Sequence, residues 1–509
     1  MSESVEKSTE KTEESSFSRL LPLTGLAGLL ISSEVVYLAL LQLDAINGWQ
    51  PVLTFWIEMA ALFVFYFLAA VLVARCESIK KFALWLIIFG AVLFRVTLLP
   101  AGIPFEYSPS EKLEAVRSDV LGKEVAYDRF LLFDNDVWRY VWDGHVTANG
   151  VNPYRYAPTD PHLDVFGGES VEFDETDEFD ELSDEASSNA AGESRNEATD
   201  GLDIWRDIRD NVNHADVTTI YPPLAQFVFW LAHAIAPGSI FVMKAFLVLC
   251  ELIGILFLAL TLRRLGLAVT SVILYAWNPL MIKVFAGSGH ADAILVAAIC
   301  AAVYFIVCGW KSIGAAAFGL AILAKLSPVI LVPFVVRRVG WRRSLIVPGV
   351  VLIGYLPFID AGQNLFSGFL KFAREWQFNA GPFALIRWLS EFVTDDSASM
   401  ARMICGVLIF AIVAFLAWRD DLSDGYFVSS SAIALGAAII LSPTVMPWYL
   451  SWVLPLAVMA RQFVWVYFTA IVLAAFHIMI DLNEYAYVLW LEYSLFFALV
   501  GLGHRFARR

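Results

Sequence analysis

The sequence predicts an all-α polytopic membrane protein with about 11–13 transmembrane helices and a large extracytoplasmic first loop. Hydrophobic residues make up 59% of the 509 residues, charged residues make up 17%, and the mean hydropathy is +0.65. Soluble globular chains are about 45–50% apolar and about 25% charged. Apolar runs of about 18 or more residues, each long enough to cross a bilayer, recur along the chain. These observations exclude a soluble enzyme, a secreted disulfide scaffold and a disordered protein.

Three membrane helices are predicted first, near 20–43, 51–74 and 82–100. The polar residues 1–19 before them are predicted to form a disordered cytoplasmic tail. The first apolar run is too long for the apolar region of a signal peptide, so we expect an uncleaved membrane anchor.

The first polar loop, 101–222, contains an acidic insert at 164–203. The insert has fifteen Asp and Glu residues and one basic residue, Arg195, so it accounts for nearly all of the net charge of −15. A block of like charge that is rich in Ser, Asn and Gly is normally disordered. The rest of the chain is close to neutral and has no basic face suited to nucleic acid.

The remainder, 223–509, is predicted to be the transmembrane core. Its first apolar segment, 223–236, is short and flanked by prolines, which favours an interfacial or re-entrant helix. A break at Leu326-Ser327-Pro328 permits a hairpin of two half-helices, and 360–399 is predicted to be a second outer loop. The remaining predicted helices lie at 239–262, 268–286, 290–309, 312–336, 344–359, 400–418, 426–441, 447–460, 463–480 and 487–503.

Lys and Arg residues in short loops predict the orientation, because such loops are mostly cytoplasmic. Arg75, Lys80 and Lys81 lie between the second and third helices. That loop is therefore expected inside, which places 101–222 outside and both termini inside. The five cysteines lie in or beside apolar segments without metal-binding spacing, and we interpret them as packing residues.

The densest cluster of chemically capable residues runs from Phe133 to Gly144. On a helix, Asp136, Arg139, Tyr140 and Asp143 have the spacing i, i+3, i+4 and i+7 and share one face. This face could bind a sugar and a phosphate together. The alternative is structural: Asp134 or Asn135 caps the helix, and Arg139 pairs with Asp143.

Further candidates for substrate binding are scattered along the chain. Their alternatives are also structural: proline-rich turns at the membrane surface, a helix cap by Asp292, snorkelling of Lys325 and interfacial anchoring by the aromatic pair. These candidates are Arg155, His290, Asp292, Lys325, Trp448 and Tyr449.

The order of the short motifs resembles that of the C-type superfamily of multi-spanning membrane glycosyltransferases. The resemblance is strongest to bacterial polyprenyl-phosphate-mannose-dependent mannosyltransferases, and the first mannosyltransferase of GPI-anchor assembly has a similar layout. The motifs are Asp134-x-Asp136-x-x-Arg139-Tyr140, Asn152-Pro153-Tyr154-x-Tyr156, Tyr221-Pro222-Pro223-Leu224, Trp277-Asn278-Pro279-Leu280, Gly289-x-x-Asp292, Lys325-x-x-Pro328 and Pro447-Trp448-Tyr449.

The resemblance implies transfer of a hexose, with mannose expected, from a polyprenyl-phosphate donor to an extracytoplasmic glycan or lipid acceptor in a bacterial inner membrane. It implies that Asp136 is the catalytic general base and that Asp134 is the first acid of the motif. Many relatives have two adjacent acids where this chain has Asn135 and Asp136, which leaves a divalent metal possible but in doubt. A polysaccharide polymerase or ligase that uses lipid-linked sugar, and a secondary transporter, remain as alternatives.

Overall fold

The computed structural model describes residues 2–42, 49–76, 80–104, 107–123, 125, 127–128, 130–166, 204–476 and 485–507. Nearly all of the acidic insert, 167–203, lies outside the described residues. The predicted disorder of the insert therefore stays a prediction.

The first three helices match the predicted spans closely and pack on one another: α1 (Ser2–Leu40), α2 (Trp49–Arg75) and α3 (Lys80–Leu98). The start of α1 differs from the prediction, since the helix includes the residues predicted to be a disordered tail. That segment is rich in Glu and Lys, which are good helix formers, and it is continuous with an apolar helix that nucleates it.

The first outer loop folds into short helices: α4 (Pro109–Val120) and α5 (Asp136–Ala148). Ser108 and Glu111 form a capping box at the start of α4, which satisfies two backbone donors of the first turn. Residues 137–146 of α5 are all buried. The helix lies against α6 (Pro223–Ile235) and α7 (Ile240–Arg264), so this part of the loop is packed onto the core.

The centre of the core contains a helix that was predicted to be continuous over 268–286. The structure divides it into α8 (Val269–Ala276) and α9 (Pro279–Gly287), which are bent by 58° relative to each other. Proline cannot donate the backbone hydrogen bond that a continuous helix needs. The Asn278 side chain instead accepts from the first backbone N–H groups of α9, which caps the new helix.

A buried ion pair between two neighbouring helices stabilises this break. Arg95 forms two hydrogen bonds of 2.6 Å with Glu251, and both side chains are fully buried. The same guanidinium donates to the carbonyl of Ala276 at 2.8 Å, which is one of the carbonyls that the end of α8 leaves without a helical partner. The pair therefore joins α3, α7 and the end of α8.

The predicted interruption near Leu326 is confirmed. The preceding helices are α10 (Asp292–Val307) and α11 (Lys311–Ala324), and they pack closely together. Lys325 is extended, and a 3-10 segment, Ser327–Leu331, leads into α12 (Val332–Val339). Pro328 has no N–H for the carbonyl of Ala324 and its ring would clash with that carbonyl in a continuous helix, which explains why α11 ends there.

The second outer region is more helical than predicted, because Leu356–Phe366 is a 3-10 segment and two short α-helices follow it. A parallel bridge also pairs Phe378 with Thr444. The remaining helices are α13 (Ile346–Tyr355), α14 (Ser367–Glu375), α15 (Gly381–Ser390), α16 (Ser397–Trp418), α17 (Asp424–Ile440), α18 (Leu450–Ala460), α19 (Val464–Ile471) and α20 (Tyr485–Ala507).

The described part of the chain is an all-α polytopic membrane protein. It has six helices long and apolar enough to cross a bilayer, and the bent α8–α9 pair would make a seventh span. Seven shorter apolar helices of 10–17 residues accompany them. The total of about 11–13 crossings stays a prediction, because length alone does not decide which short helices cross. All five cysteines are free thiols.

Candidate functional site

A cavity of about 700 Å³ lies where the first outer loop meets the end of α11 and the second outer region. One side of the cavity is charged, and it is formed by Asp134, Asp136, Arg139 and Lys325. The other sides are aromatic, and their rings belong to Phe130, Phe133, Phe369, Phe372, Trp376, Phe378, Trp448 and Tyr449. A few polar groups in a mainly apolar cavity are typical of a site that orients a small ligand.

His290 connects the two carboxylates at the charged side. Its Nε2 lies 2.5 Å from Oδ2 of Asp134, and its Nδ1 lies 3.5 Å from Oδ2 of Asp136. Asp134 also accepts a hydrogen bond from the backbone N–H of Asp136 at 3.2 Å. Asp134 therefore closes a local turn just before α5, whose N-cap residue is Asn135 without a side-chain capping bond, and it holds His290 as well.

Asp136 is the more accessible of the two acids, since its side chain is 19% exposed and that of Asp134 is 3% exposed. Asn213 donates to Oδ1 of Asp136 at 2.6 Å, and the Tyr221 hydroxyl lies 3.5 Å from Oδ2. Burial raises the pKa of Asp136, but the hydrogen bond and charge of His290, the Asn213 amide and the charge of Lys325 together lower it below its usual range. The carboxyl group is therefore ionised at neutral pH.

Lys325 lies at the end of α11 between two aromatic rings. Its Nζ is 2.7 Å from Oδ1 of Asp292, 4.8 Å from the ring centre of Tyr449 and 4.7 Å from that of Trp452. The indole N–H of Trp452 donates to the same Asp292 oxygen. Asp292 and the two rings thus fix the position of an ammonium group at the cavity wall. A snorkelling lysine would have no such set of fixed partners.

Arg139 enters the cavity wall from α5. Its Nε donates to Asp143 at 2.8 Å and one terminal nitrogen donates to the carbonyl of Val217 at 2.9 Å. The other terminal nitrogen, Nη2, has no hydrogen-bond partner among the described residues. Gln226 donates to the second oxygen of Asp143 at 3.0 Å. The predicted ion pair is present, and the one guanidinium nitrogen without a described partner is buried in the cavity wall.

Several predicted site residues do not reach the cavity. Tyr140 is fully buried and stacks on Phe229, with ring centres 4.6 Å apart. Asp143 is buried under Arg139, and Arg155 is exposed beside Tyr156. The shared face of α5 is turned partly toward α6, which keeps Tyr140 and Asp143 out of the cavity lining, and Arg155 follows α5 on the surface. Substrate contact by these three residues stays a prediction.

His290 and Asp292 are both buried, and they support the cavity rather than line it. His290 stacks on Trp448 at 3.9 Å between ring centres, and Asp292 holds Lys325. Trp448 and Tyr449, which were weak predictions because interfacial aromatics are common, do line the cavity.

Other cavity residues were missed by the sequence analysis. Asn213 follows the acidic insert, so it lies 77 positions from the carboxylate that it contacts. Trp376 and Phe378 belong to the second outer region, and Trp376 contacts the ring of His214 at 4.6 Å. No spacing rule links such distant positions; the only available signal was the concentration of aromatic residues near 366–378.

Asn379, next to Phe378, fixes the second outer region to α20. Asn379 has a φ of +48° and is fully buried. Its side-chain nitrogen donates to Glu492 at 2.8 Å, and its carbonyl accepts from the Tyr493 hydroxyl at 2.6 Å. The backbone of Phe378 is also bonded on both sides to the strand-like segment at Pro443–Val445. The part of the aromatic lining that contains Trp376 and Phe378, called the aromatic wall below, is therefore fixed both by α20 and by the segment Pro443–Val445.

Two family models match the chain. Residues 205–340 match the model described as alpha-(1->6)-mannopyranosyltransferase, N-terminal domain, and residues 383–500 match the MptB C-terminal domain. The first match contains Asn213, His290 and Lys325, whereas Asp136 and Arg139 precede it. No curated protein and no solved structure matches.

Proposed function

Because the chain is a mannosyltransferase-like membrane protein, we propose that it transfers mannose from a polyprenyl-phosphate donor to a hydroxyl group of a glycan or lipid acceptor. The observation that carries the proposal is the charged side of the cavity, where the ionised Asp136 faces a site that also contains Arg139 and Lys325. A glycosyl phosphate donor requires both kinds of group: a base for the acceptor and cations for the phosphate.

The reaction is a single displacement at the anomeric carbon. The acceptor oxygen forms a bond to that carbon while the bond from the carbon to the phosphate oxygen breaks, and the phosphate leaves with the electron pair. Asp136 accepts the proton of the acceptor hydroxyl as general base. Its low pKa keeps it ionised before the reaction, and attack from the side opposite the phosphate inverts the anomeric centre.

The cations stabilise the negative charge that develops on the departing phosphate, a large term in many enzymes. Arg139 offers Nη2, since its other donors contact Asp143 and Val217. Lys325 uses one of its three ammonium donors for Asp292, which leaves donors for the phosphate. The aromatic wall is suited to the apolar face of a pyranose ring.

His290 lies beside both acids of the cavity. Asp134, Asp136 and His290 have ligand atoms within 4.8 Å of one another, and two carboxylates and an imidazole suit Mn²⁺ or Zn²⁺. Nε2 of His290 and Oδ2 of Asp134 are also 2.5 Å apart, which is a hydrogen-bond distance. We propose a metal-independent reaction, in which His290 positions both carboxylates.

The charge distribution supports an active site on the extracytoplasmic side of the membrane. Arg75 and Lys81 flank the short connection between α2 and α3, while the cavity is built by the loop after α3. Short connections rich in Lys and Arg are mostly cytoplasmic, and α3 leads the chain to the opposite side.

The test is a transfer assay with purified protein in liposomes and labelled mannosyl polyprenyl phosphate. Lys325→Met should raise the KM for the donor at least about tenfold, because a hydrogen-bonded charge is lost, and should change the KM for the acceptor little. Lys371→Met is the matched control, since Lys371 pairs with Asp216 at 2.6 Å outside the cavity.

Equal effects of Lys325→Met on donor and acceptor, or no effect, would contradict the assigned role of Lys325. Absence of mannose transfer by the wild-type protein would contradict the function itself. In the same assay a chelator should leave the wild-type rate within about twofold. A large loss that Mn²⁺ restores would replace the metal-independent assignment by a metal site at the two acids and His290.

A further inference from the structure

Two half-buried arginines lie close together where the second outer region meets the membrane. Arg387 belongs to α15, and Arg402 lies in the second turn of α16. Nη1 of Arg387 donates to the side-chain oxygen of Gln377 at 2.6 Å, and Nε of Arg402 donates to the carbonyl of Ala373 at 3.2 Å. Both guanidinium groups are thus bonded to one short stretch of the chain, residues 373–377.

The pair lacks an acceptor that carries negative charge. Nε of Arg387 and Nη2 of Arg402 are buried, and neither has a hydrogen-bond partner among the described residues. The charge of Arg387 repels that of Arg402, and the opposing effect of Asp396 on Arg402 is smaller. The Asp396 carboxylate instead accepts from the backbone N–H of Ser399 at 3.1 Å and caps α16. Buried donors without acceptors and adjacent like charges are both costly, and one bound anion would remove both costs.

α15 lies at the surface of the bilayer. Together with the turn that follows, it exposes apolar side chains with the spacing i, i+3, i+4, i+7 and i+8, which forms one stripe. Each of these side chains is at least 51% exposed, and they are Leu385, Trp388, Leu389, Phe392 and Val393.

Arg387 lies on the side of α15 that faces away from the stripe, about 200° around the helix from Leu385. An interfacial helix directs its apolar stripe toward the acyl chains and its polar face toward the headgroups. α16, which is long and apolar enough to cross the membrane, begins at Ser397. The headgroup phosphates are therefore expected at the level of the two arginines.

We propose that Arg387 and Arg402 together bind the phosphate of an anionic phospholipid, whose acyl chains extend into the layer that the stripe contacts. Guanidinium groups bind phosphate oxygens through paired, charge-assisted hydrogen bonds. A zwitterionic lipid offers the same phosphate, but its ammonium group would bring a third cation to the pair. An anionic headgroup therefore fits better.

This site is separate from the catalytic cavity, because neither arginine lines that cavity. The inference therefore does not depend on the proposed reaction. Gln377 does line the cavity, so a lipid held by the pair would also stabilise the segment that contains the aromatic wall.

The experiment titrates the full-length protein in detergent micelles with phosphatidylglycerol and measures the bound lipid by native mass spectrometry. Arg387→Gln and Arg402→Gln should each weaken the apparent affinity at least about tenfold, because a charged hydrogen-bond donor is lost. Arg419→Gln is the matched control, since it removes the same charge from an exposed residue at the other end of α16. It should change the affinity by less than about twofold.

The conservative variants Arg387→Lys and Arg402→Lys provide the same test if the glutamine variants do not fold. They keep the charge but lose the planar set of donors, so binding should still weaken. Phosphatidylcholine should bind the wild-type protein at least about tenfold more weakly than phosphatidylglycerol, and an excess of inorganic phosphate should not displace the bound lipid.

Equal affinities of the wild-type protein and both arginine variants for phosphatidylglycerol would overturn the inference, as would equal affinities of the wild-type protein for the two lipids. Displacement by inorganic phosphate would show a site for free phosphate instead of a lipid. Displacement by mannosyl polyprenyl phosphate would assign the pair to the donor. None of these measurements requires turnover, so their outcome is distinct from failure of the proposed function.

Discussion

Asp136 can remain ionised in a mostly enclosed position because its neighbours supply positive charge and hydrogen-bond donors. His290 contacts it on one side, Asn213 donates on another, and Lys325 lies across the cavity. Asp134, the nearest like charge, is bonded to Nε2 of His290. Charge around the base is therefore compensated by groups from three separate segments, which explains how a carboxylate at such a site keeps a low pKa.

Removing His290 should shift the acid side of the pH–rate profile. The activity of the base is lost as pH falls through its pKa, and His290 holds that pKa below its usual range. His290→Gln removes the hydrogen bond and charge of His290, so the pKa of Asp136 should rise and the acid limb should move to a higher pH. The measurement is kcat from about pH 6 down to about pH 2.5, because the wild-type acid limb lies below the usual Asp pKa of about 3.9; an unchanged acid limb in a folded variant would rule out this electrostatic role.

At the residue level, the sequence predicted which charged residues belong to the site better than it predicted which residues they contact. Asp134, Asp136 and Arg139 were predicted from one motif and Lys325 from another, and all four line one cavity. Helical spacing alone could not distinguish a face turned to the cavity from one turned to α6, so Tyr140 and Asp143 were also included. Residues such as Asn213 become partners of α5 only through the tertiary fold.

At the level of elements, the site depends on interruptions of regular helices. Lys325 faces the cavity because α11 ends at Ala324, and His290 lies between α9 and α10. The proline residues predicted the interruption at Lys325 correctly, whereas the break at Trp277-Asn278-Pro279 was missed. Hydropathy detects an apolar run but not a bend within it, and the motif had been noted only for its resemblance.

The contact between α20 and Asn379 should position the aromatic wall. Glu492→Leu removes the acceptor of the Asn379 amide, which would leave a fully buried donor without a partner. That loss typically costs about 1–3 kcal/mol, and moving the loop that carries Trp376 and Phe378 relieves it. We expect the KM for the acceptor to rise about tenfold with a smaller change in kcat.

Glu492→Gln is the matched control for this contact, because the amide oxygen of Gln can still accept from Asn379. It should restore the KM for the acceptor to near the wild-type value. Equal kinetic defects in Glu492→Leu and Glu492→Gln, or a purely thermal destabilisation without a change in KM, would show that the contact serves stability alone.

At the level of the whole molecule, one catalytic surface is assembled from segments far apart in the chain. Asp136 and Arg139 precede the acidic insert, Asn213 and Val217 follow it, and Lys325 lies in the core. The composition and the apolar runs were sufficient to predict an all-α membrane protein, which the structure confirms. They could not fix the number of crossings, because many apolar helices are of intermediate length.

The central claim, that Asp136 is the general base of a mannosyl transfer, is tested most directly by Asp136→Asn. The variant keeps an acceptor for Asn213 and nearly the same volume but cannot take up a proton, so kcat should fall by about 10²–10⁴-fold while the KM for the donor stays near the wild-type value. Asp216→Asn is the control, since Asp216 follows the insert in the same loop but does not line the cavity, and it should keep wild-type turnover. Single-turnover transfer in liposomes is the measurement, and near-wild-type turnover by folded Asp136→Asn would contradict the account.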